Sequence, residues 1–192
     1  MASESGKLID KLLPAQALSD TKGTWMKVGF ALVVARLLTS QSLDGLTDKN
    51  WGMASLLTLL GFTAYHLMTA RVIDSSKVAS GKNKDALDSI LKVGTMLIVS
   101  RLLSGKPLND EAWMKSSAYV LVGFVAFDIG TSRLIDGIEA SDRVEAAVYD
   151  AAKFGTMYVV SRYLEGAPFN REWFVDSASF IAGLVAYDLL LS

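Results

Sequence analysis

One spacing occurs three times in this chain, and it constrains the fold more than any other feature. Lys27-x-Gly29-x6-Arg36 recurs as Lys92-x-Gly94-x6-Arg101 and as Lys153-x-Gly155-x6-Arg162. A second block follows each: Trp51, Ser55, Gly61, Ala64, Tyr65 and His66; then Trp113, Ser117, Gly123, Ala126, Phe127 and Asp128; then Trp173, Ser177, Gly183, Ala186, Tyr187 and Asp188. Its spacing, Trp-x3-Ser-x5-Gly-x2-Ala-aromatic-polar, is the same each time. Arg71-x-Ile73-Asp74 is matched by Arg133-x-Ile135-Asp136. The chain therefore reads as three tandem copies of about 60 residues.

Each copy predicts two helices. The first holds eight uncharged residues between its Lys and its Arg. In copies two and three it stops at Gly105 and Gly166, suited to the left-handed position beyond a helix end, with Pro107 and Pro168 following. The second opens after Asp48, Asn109 or Asn170, which are good N-caps. Strands are excluded, because alternation is absent and the apolar runs have helical lengths. The expected fold is all-α: a six-helix bundle of three tandem antiparallel helical hairpins, over 23–74, 84–136 and 142–192, forming one compact domain behind an N-terminal segment, 1–22. That segment has no basic stretch leading into an apolar one, and Pro14 follows Leu12 and Leu13 at once, so it reads as a mature start with a short surface segment.

Composition narrows the function. With 51% hydrophobic and 20% charged residues the chain is more apolar than an ordinary soluble domain, where about 25% are charged. The absence of cysteine excludes disulfide frameworks, thiolate metal sites and thiol nucleophiles. His66 is the single histidine, so imidazole clusters and repeated histidine chemistry are excluded as well. A net charge of −1 exerts no general pull on nucleic acid. Phosphate-loop, zinc-protease and nucleophile-elbow motifs are missing. No enzyme activity, cofactor, metal or small-molecule substrate is expected.

Residues 50–70 form a run of 21 without formal charge, long enough to cross a bilayer core. The corresponding runs 116–127 and 177–187 end at Asp128 and Asp188. Trp51, Trp113 and Trp173 suit interfacial anchors, and Arg36, Arg101 and Arg162 mark the opposite ends of the first helices. These arginines read as boundary markers, with lipid phosphate contact as the alternative. The bundle is expected to be transmembrane; a soluble or peripheral bundle is the competing reading. Twelve cations on the terminal and connector side against seven on the hairpin-loop side favour cytoplasmic termini.

In an antiparallel hairpin the end of the second helix returns beside the start of the first. Embedded pairs Lys92–Asp128 and Lys153–Asp188 are therefore expected, within a hairpin or across neighbours, because an unpaired carboxylate in hydrocarbon is expensive. Copy one carries His66 in place of the acid, which leaves Lys27 without an equivalent partner. Structural ion pairs and a proton or ion relay are the two readings of these groups. Gly61, Gly123 and Gly183 on the second helices, and Gly29, Gly94 and Gly155 on the first, are expected to permit close helix packing.

The segments Gln41-Ser42-Leu43, Asp48-Lys49-Asn50-Trp51 and Leu59-Leu60-Gly61-Phe62-Thr63-Ala64-Tyr65-His66-Leu67 resemble small multi-span membrane proteins encoded by large icosahedral DNA viruses of algae and protists, some of which are minor capsid components beneath the shell. The resemblance implies a virion protein that links the inner membrane to the capsid lattice. Mitochondrial carriers also hold three two-helix repeats, but those open with Pro-x-Asp/Glu-x2-Lys/Arg, which no copy here carries. Three functions stay open. A structural scaffold or anchor would work within a larger assembly, with the bilayer and other membrane or capsid proteins as partners, docking through Pro107, Leu108, Pro168 and Phe169. A small transporter or channel would use the Lys–Asp pairs, although the bulky apolar side chains predict a filled bundle. A soluble interaction bundle is the third.

Overall fold

A computed structural model describes residues 15–40, 42–69, 81–138 and 140–192. Arg71, Asp74, most of the first connector and the start of the N-terminal segment lie outside the described residues. Within them the chain is all-helical, with no strand. Six long helices follow in order. They are α1 (Ala15–Ser40), α2 (Lys49–Ala64), α3 (Lys82–Leu103), α4 (Glu111–Ala126), α5 (Asp142–Leu164) and α6 (Arg171–Leu190). A short 3-10 turn, Leu43–Thr47, joins α1 to α2.

The helix ends follow local chemistry. The side chains of Asp48, Asp110 and Asn170 accept hydrogen bonds from the free N–H groups of Trp51, Trp113 and Trp173, at 3.4, 3.2 and 3.0 Å. In copy two the cap is Asp110 rather than Asn109; one extra residue before Trp113 moves Asn109 out of reach. Gly105 and Gly166 take φ of 68° and 66°, and Lys106 and Ala167 donate back to the carbonyls of Arg101 and Arg162. Asn170→Ala is expected to cost about 1 kcal/mol by removing the cap of α6, read as a lower thermal midpoint with unchanged helix content.

Two helices do not end at their regular α segment. Beyond Ala64, α2 widens into a π-helical turn, Tyr65–Thr69, and beyond Ala126, α4 does the same over Phe127–Thr131 before Ser132–Ile135. Widened turns fall at the aromatic-polar pair of copies one and two, where both members are buried. In α6, which stays α-helical through this point, Asp188 is buried and Tyr187 only half-buried.

Each helix packs on its neighbours in chain order, and α6 closes on α1, so the six form a ring. Consecutive helices run antiparallel, as the contacts at their ends require. Trp25 early in α1 donates to Thr63 late in α2, at 2.8 Å, while Arg36 late in α1 meets Asp48 before α2, at 2.9 Å. The tightest crossings lie between copies. A Cβ on Gly61 would stand 2.7 Å from the Cα of Met96, on Gly123 2.7 Å from that of Met157, and on Gly183 2.6 Å from that of Ala31. Ala31, Met96 and Met157 occupy one repeat position, so the second helix of every copy packs glycine-first on the first helix of the next, and copy three closes on copy one. Gly94 and Gly155 were expected to serve packing as well, yet a Cβ there meets nothing within 4 Å, and at Gly29 only the tip of Leu59 at 3.9 Å. They sit on a face that no backbone approaches.

Besides its apolar core, the bundle buries carboxylates and exposes large apolar side chains. Val33, Ile98 and Val159, again one repeat position, are 38%, 46% and 50% exposed, while Asp128 and Asp188 are 1% and 2% exposed. Among the described residues two helices are long and apolar enough to cross a membrane, Glu111–Ile135 and Arg171–Leu190, with 28% of each apolar stretch buried. The run 50–70, expected to be long enough to span and described only to residue 69, is not one of them.

Candidate functional site: a polar chamber inside the ring

Lys27, Lys92 and Lys153 sit early in α1, α3 and α5, while His66, Asp128 and Asp188 sit late in α2, α4 and α6. Because each second helix packs on the next copy's first helix, the pairs cross between copies. Asp128 Oδ1 accepts from Lys153 Nζ at 3.1 Å, and Asp188 Oδ1 lies 2.7 Å from Lys27 Nζ. The expected partners, Lys92 for Asp128 and Lys153 for Asp188, are thus displaced by one copy. Lys27, expected to lack a partner, holds two carboxylates, since Asp150 Oδ2 also lies 2.7 Å from it. Lys92 is the odd cation. Its repeat-equivalent neighbour is His66, whose Nε2 pairs with Thr24 Oγ1 at 2.8 Å, and Lys92 Nζ stands over the Tyr65 ring at 5.9 Å from its centre.

A second set of polar groups completes the cluster. Thr24, Ser89 and Asp150 lie three residues before the three lysines, one helical turn back on the same face. Ser89 accepts from Lys153 at 2.8 Å, and the Tyr65 hydroxyl donates to Asp88. Sequence reasoning passed over these residues because their types differ between copies; the visible signal was their constant offset from lysine. Lys153 is further held over the rings of Tyr149, Phe127 and Phe124, at 5.5–5.9 Å.

The three lysines, with Thr24, Asp88, Ser89 and Asp150, border a chamber of about 460 Å³ lined by all six helices. The filled bundle expected from bulky apolar side chains is overturned at this level: the repeat puts small or polar residues, Thr24, Ser89 and Thr58, at inward positions where close packing would need large ones. The chamber is amphipathic along its length. Asp88, Asp150 and the three lysines surround one end; Leu32, Phe62, Tyr158 and Phe180, further along their helices, line the other. Val93, Phe124 and Met157, which also line it, are buried together, with Leu97 and Leu121 against them.

The opposite end of the ring carries the repeated arginines. Arg36 donates to the Gly45 carbonyl and to Asp48, at 3.0 and 2.9 Å; Arg101 to the Pro107 carbonyl and to Asp110, at 3.1 and 2.7 Å; Arg162 to the Pro168 carbonyl through two nitrogens, at 3.1 and 2.9 Å. They turn back onto the loops they follow, so the boundary markers of the sequence are also loop braces. The Trp113 N–H, and then the Arg101 guanidinium, hold the Asp110 carboxyl below its ordinary pKa. Trp113 lies under Arg101 at 5.2 Å, Trp173 stacks edge-on with Phe169 at 5.1 Å, and Trp51 is half-buried. Pro107, Leu108, Pro168 and Phe169 are all exposed on these braced loops.

No protein-family model, curated protein or solved structure matches this chain.

Proposed function

We propose that the chain is an integral membrane protein that acts as a scaffold: a ring of three hairpins, clasped inside by ion pairs and presenting three braced loops for docking. The observation that carries this reading is the combination of carboxylates 1–2% exposed inside with the repeat-equivalent apolar Val33, Ile98 and Val159 outside. In water that arrangement wastes apolar burial, whereas in lipid it satisfies both surfaces. Small-residue crossings suit the same setting, where helices associate by close backbone approach rather than by hydrophobic exclusion. The cation excess on the terminal side favours cytoplasmic termini. The viral resemblance extends the reading to a virion inner membrane, the braced loops meeting a capsid lattice; a stoichiometric copy number in purified particles is the expected result there.

The membrane claim is checked by alkaline carbonate extraction, after which the chain is expected in the pellet; release into buffer without detergent refutes it. Because the chain has no cysteine, single substitutions report topology directly. A membrane-impermeant maleimide is expected to label Lys106→Cys and Ser141→Cys from opposite sides. For docking, Leu108→Asp and Phe169→Asp are expected to abolish incorporation into the larger assembly. Stability of the isolated chain should change by no more than about 0.5 kcal/mol, since both side chains are exposed.

The chamber favours a second reading, a small transporter or channel. Its largely apolar walls, with Val93, Phe124 and Met157 among them, do not favour passage of an ion or polar solute. Solute or proton flux in liposomes, lost on Asp128→Asn in a chain that still assembles, would select this reading over the scaffold.

A further inference from the structure

We propose that the chamber binds a single-chain amphiphile with an anionic head, the head on Lys92 and the tail along the apolar walls. The inference starts from an asymmetry among three equivalent cations. Lys27 faces Asp188 and Asp150, and Lys153 faces Asp128 and Ser89. Lys92 lines the same chamber and has no hydrogen-bond or ion-pair partner among the described residues. The cause is one substitution in the repeat: the position that supplies aspartate to the other two lysines holds His66, and His66 is turned to Thr24.

The carboxylates that line this space each have a hydrogen-bond or ion-pair partner, and Asp88, which has no ion pair, also attracts Lys92 from one turn away. Asp88, one turn before Lys92, takes the Tyr65 hydroxyl, and Asp150 takes Lys27. Asp128 and Asp188 do not line the chamber and are held by Lys153 and Lys27. A half-buried ammonium whose N–H groups lack acceptors is unfavourable, and a bound anion supplies acceptors and charge together. A cation would face three lysines, and of the two carboxylates that line the chamber Asp150 is already taken by Lys27. A purely polar anion would leave the other end unfilled, because Leu32, Phe62 and Phe180 wall it. From the lysine level to Tyr158, five residues on, a helix rises roughly 7–8 Å, which suits a short alkyl chain. The volume of about 460 Å³ falls within the range of small-molecule sites.

The experiment is equilibrium dialysis of labelled octanoate against the full chain in detergent, with protein-free micelles subtracted. It does not depend on docking or on a bilayer, so its failure is distinct from failure of the scaffold reading. One saturable site per chain is expected. His66→Asp, which hands Lys92 the carboxylate its two equivalents have, should lower affinity at least tenfold while keeping or raising the thermal midpoint, so that loss of binding is not loss of fold. Lys92→Met should lose binding too, Lys92→Arg should keep it, and Thr58→Trp should block it by filling the apolar end. Octyl phosphate run in parallel separates a phosphate head from a carboxylate head; saturable binding of either, lost in His66→Asp, supports the site. Octanoate uptake that does not saturate, that is unchanged in His66→Asp, or that is weaker than uptake of octylammonium overturns it.

Discussion

Replacing Lys27 by methionine is expected to destabilise the chain by about 3–5 kcal/mol, the largest effect of any single change inside the chamber. The substitution removes the one cation that two carboxylates share. Asp188 and Asp150 are left 3% and 15% exposed at the side chain, each having lost a partner at 2.7 Å. The cost is that of leaving charge buried and uncompensated, and it exceeds whatever the pair contributes over an apolar replacement. Two comparisons make the cause visible. Lys92→Met breaks no ion pair and is expected to stay within about 1 kcal/mol of the parent. Combining Lys27→Met with Asp150→Asn and Asp188→Asn removes the stranded charges and is expected to recover most of the loss. The measurement is unfolding of the purified chain in mixed micelles. Equal midpoints for Lys27→Met and Lys92→Met would contradict the ring of cross-copy clasps.

Gly183→Ala is expected to be the second most damaging change, although alanine is the better helix former. Its Cβ would lie 2.6 Å from the Cα and 2.8 Å from the carbonyl oxygen of Ala31, and backbone cannot swing aside as a side-chain tip can. Either α6 separates from α1 or both helices bend, at an overpacking cost of about 1–3 kcal/mol that outweighs the roughly 1 kcal/mol of helix propensity gained. Gly61→Ala and Gly123→Ala should behave alike, since both meet a methionine Cα and carbonyl oxygen at 2.6–2.8 Å. Gly94→Ala and Gly155→Ala point the other way: nothing stands within 4 Å, so about 0.5–1 kcal/mol of stabilisation is expected. Thermal midpoints of the five variants test this directly, and a loss at Gly155→Ala as large as at Gly183→Ala would mean that the ring does not close as described.

Much of the local structure could be read from residues that act on their own neighbours. Gly105 and Gly166 end helices because only a residue without Cβ takes φ near 66–68° at no cost. Asp48 and Asn170 start helices because their side chains reach an N–H two or three residues on. Those effects span one turn, so sequence contains them whole. The inward position of Asp128 and Asp188 was legible too, from periodicity and the expense of charge in an apolar setting. The longest uncharged run also holds a feature hydropathy does not foretell, a widened turn that carries both Tyr65 and His66 inward.

Sequence by itself determined that three equivalent units exist, that each holds two helices, and that lysines and acids meet at one level. Only the tertiary structure decided which helix faces which. A repeat is silent on whether a glycine meets its own copy or the next, since either choice satisfies the same pattern. Closure decides it, because α6 must find an uncovered partner and the remaining one is α1. That one-copy shift gave Lys27 two acids, Lys153 one and Lys92 none. The chamber exists for the same reason: it is bordered by six helices at once, and no single copy contains it.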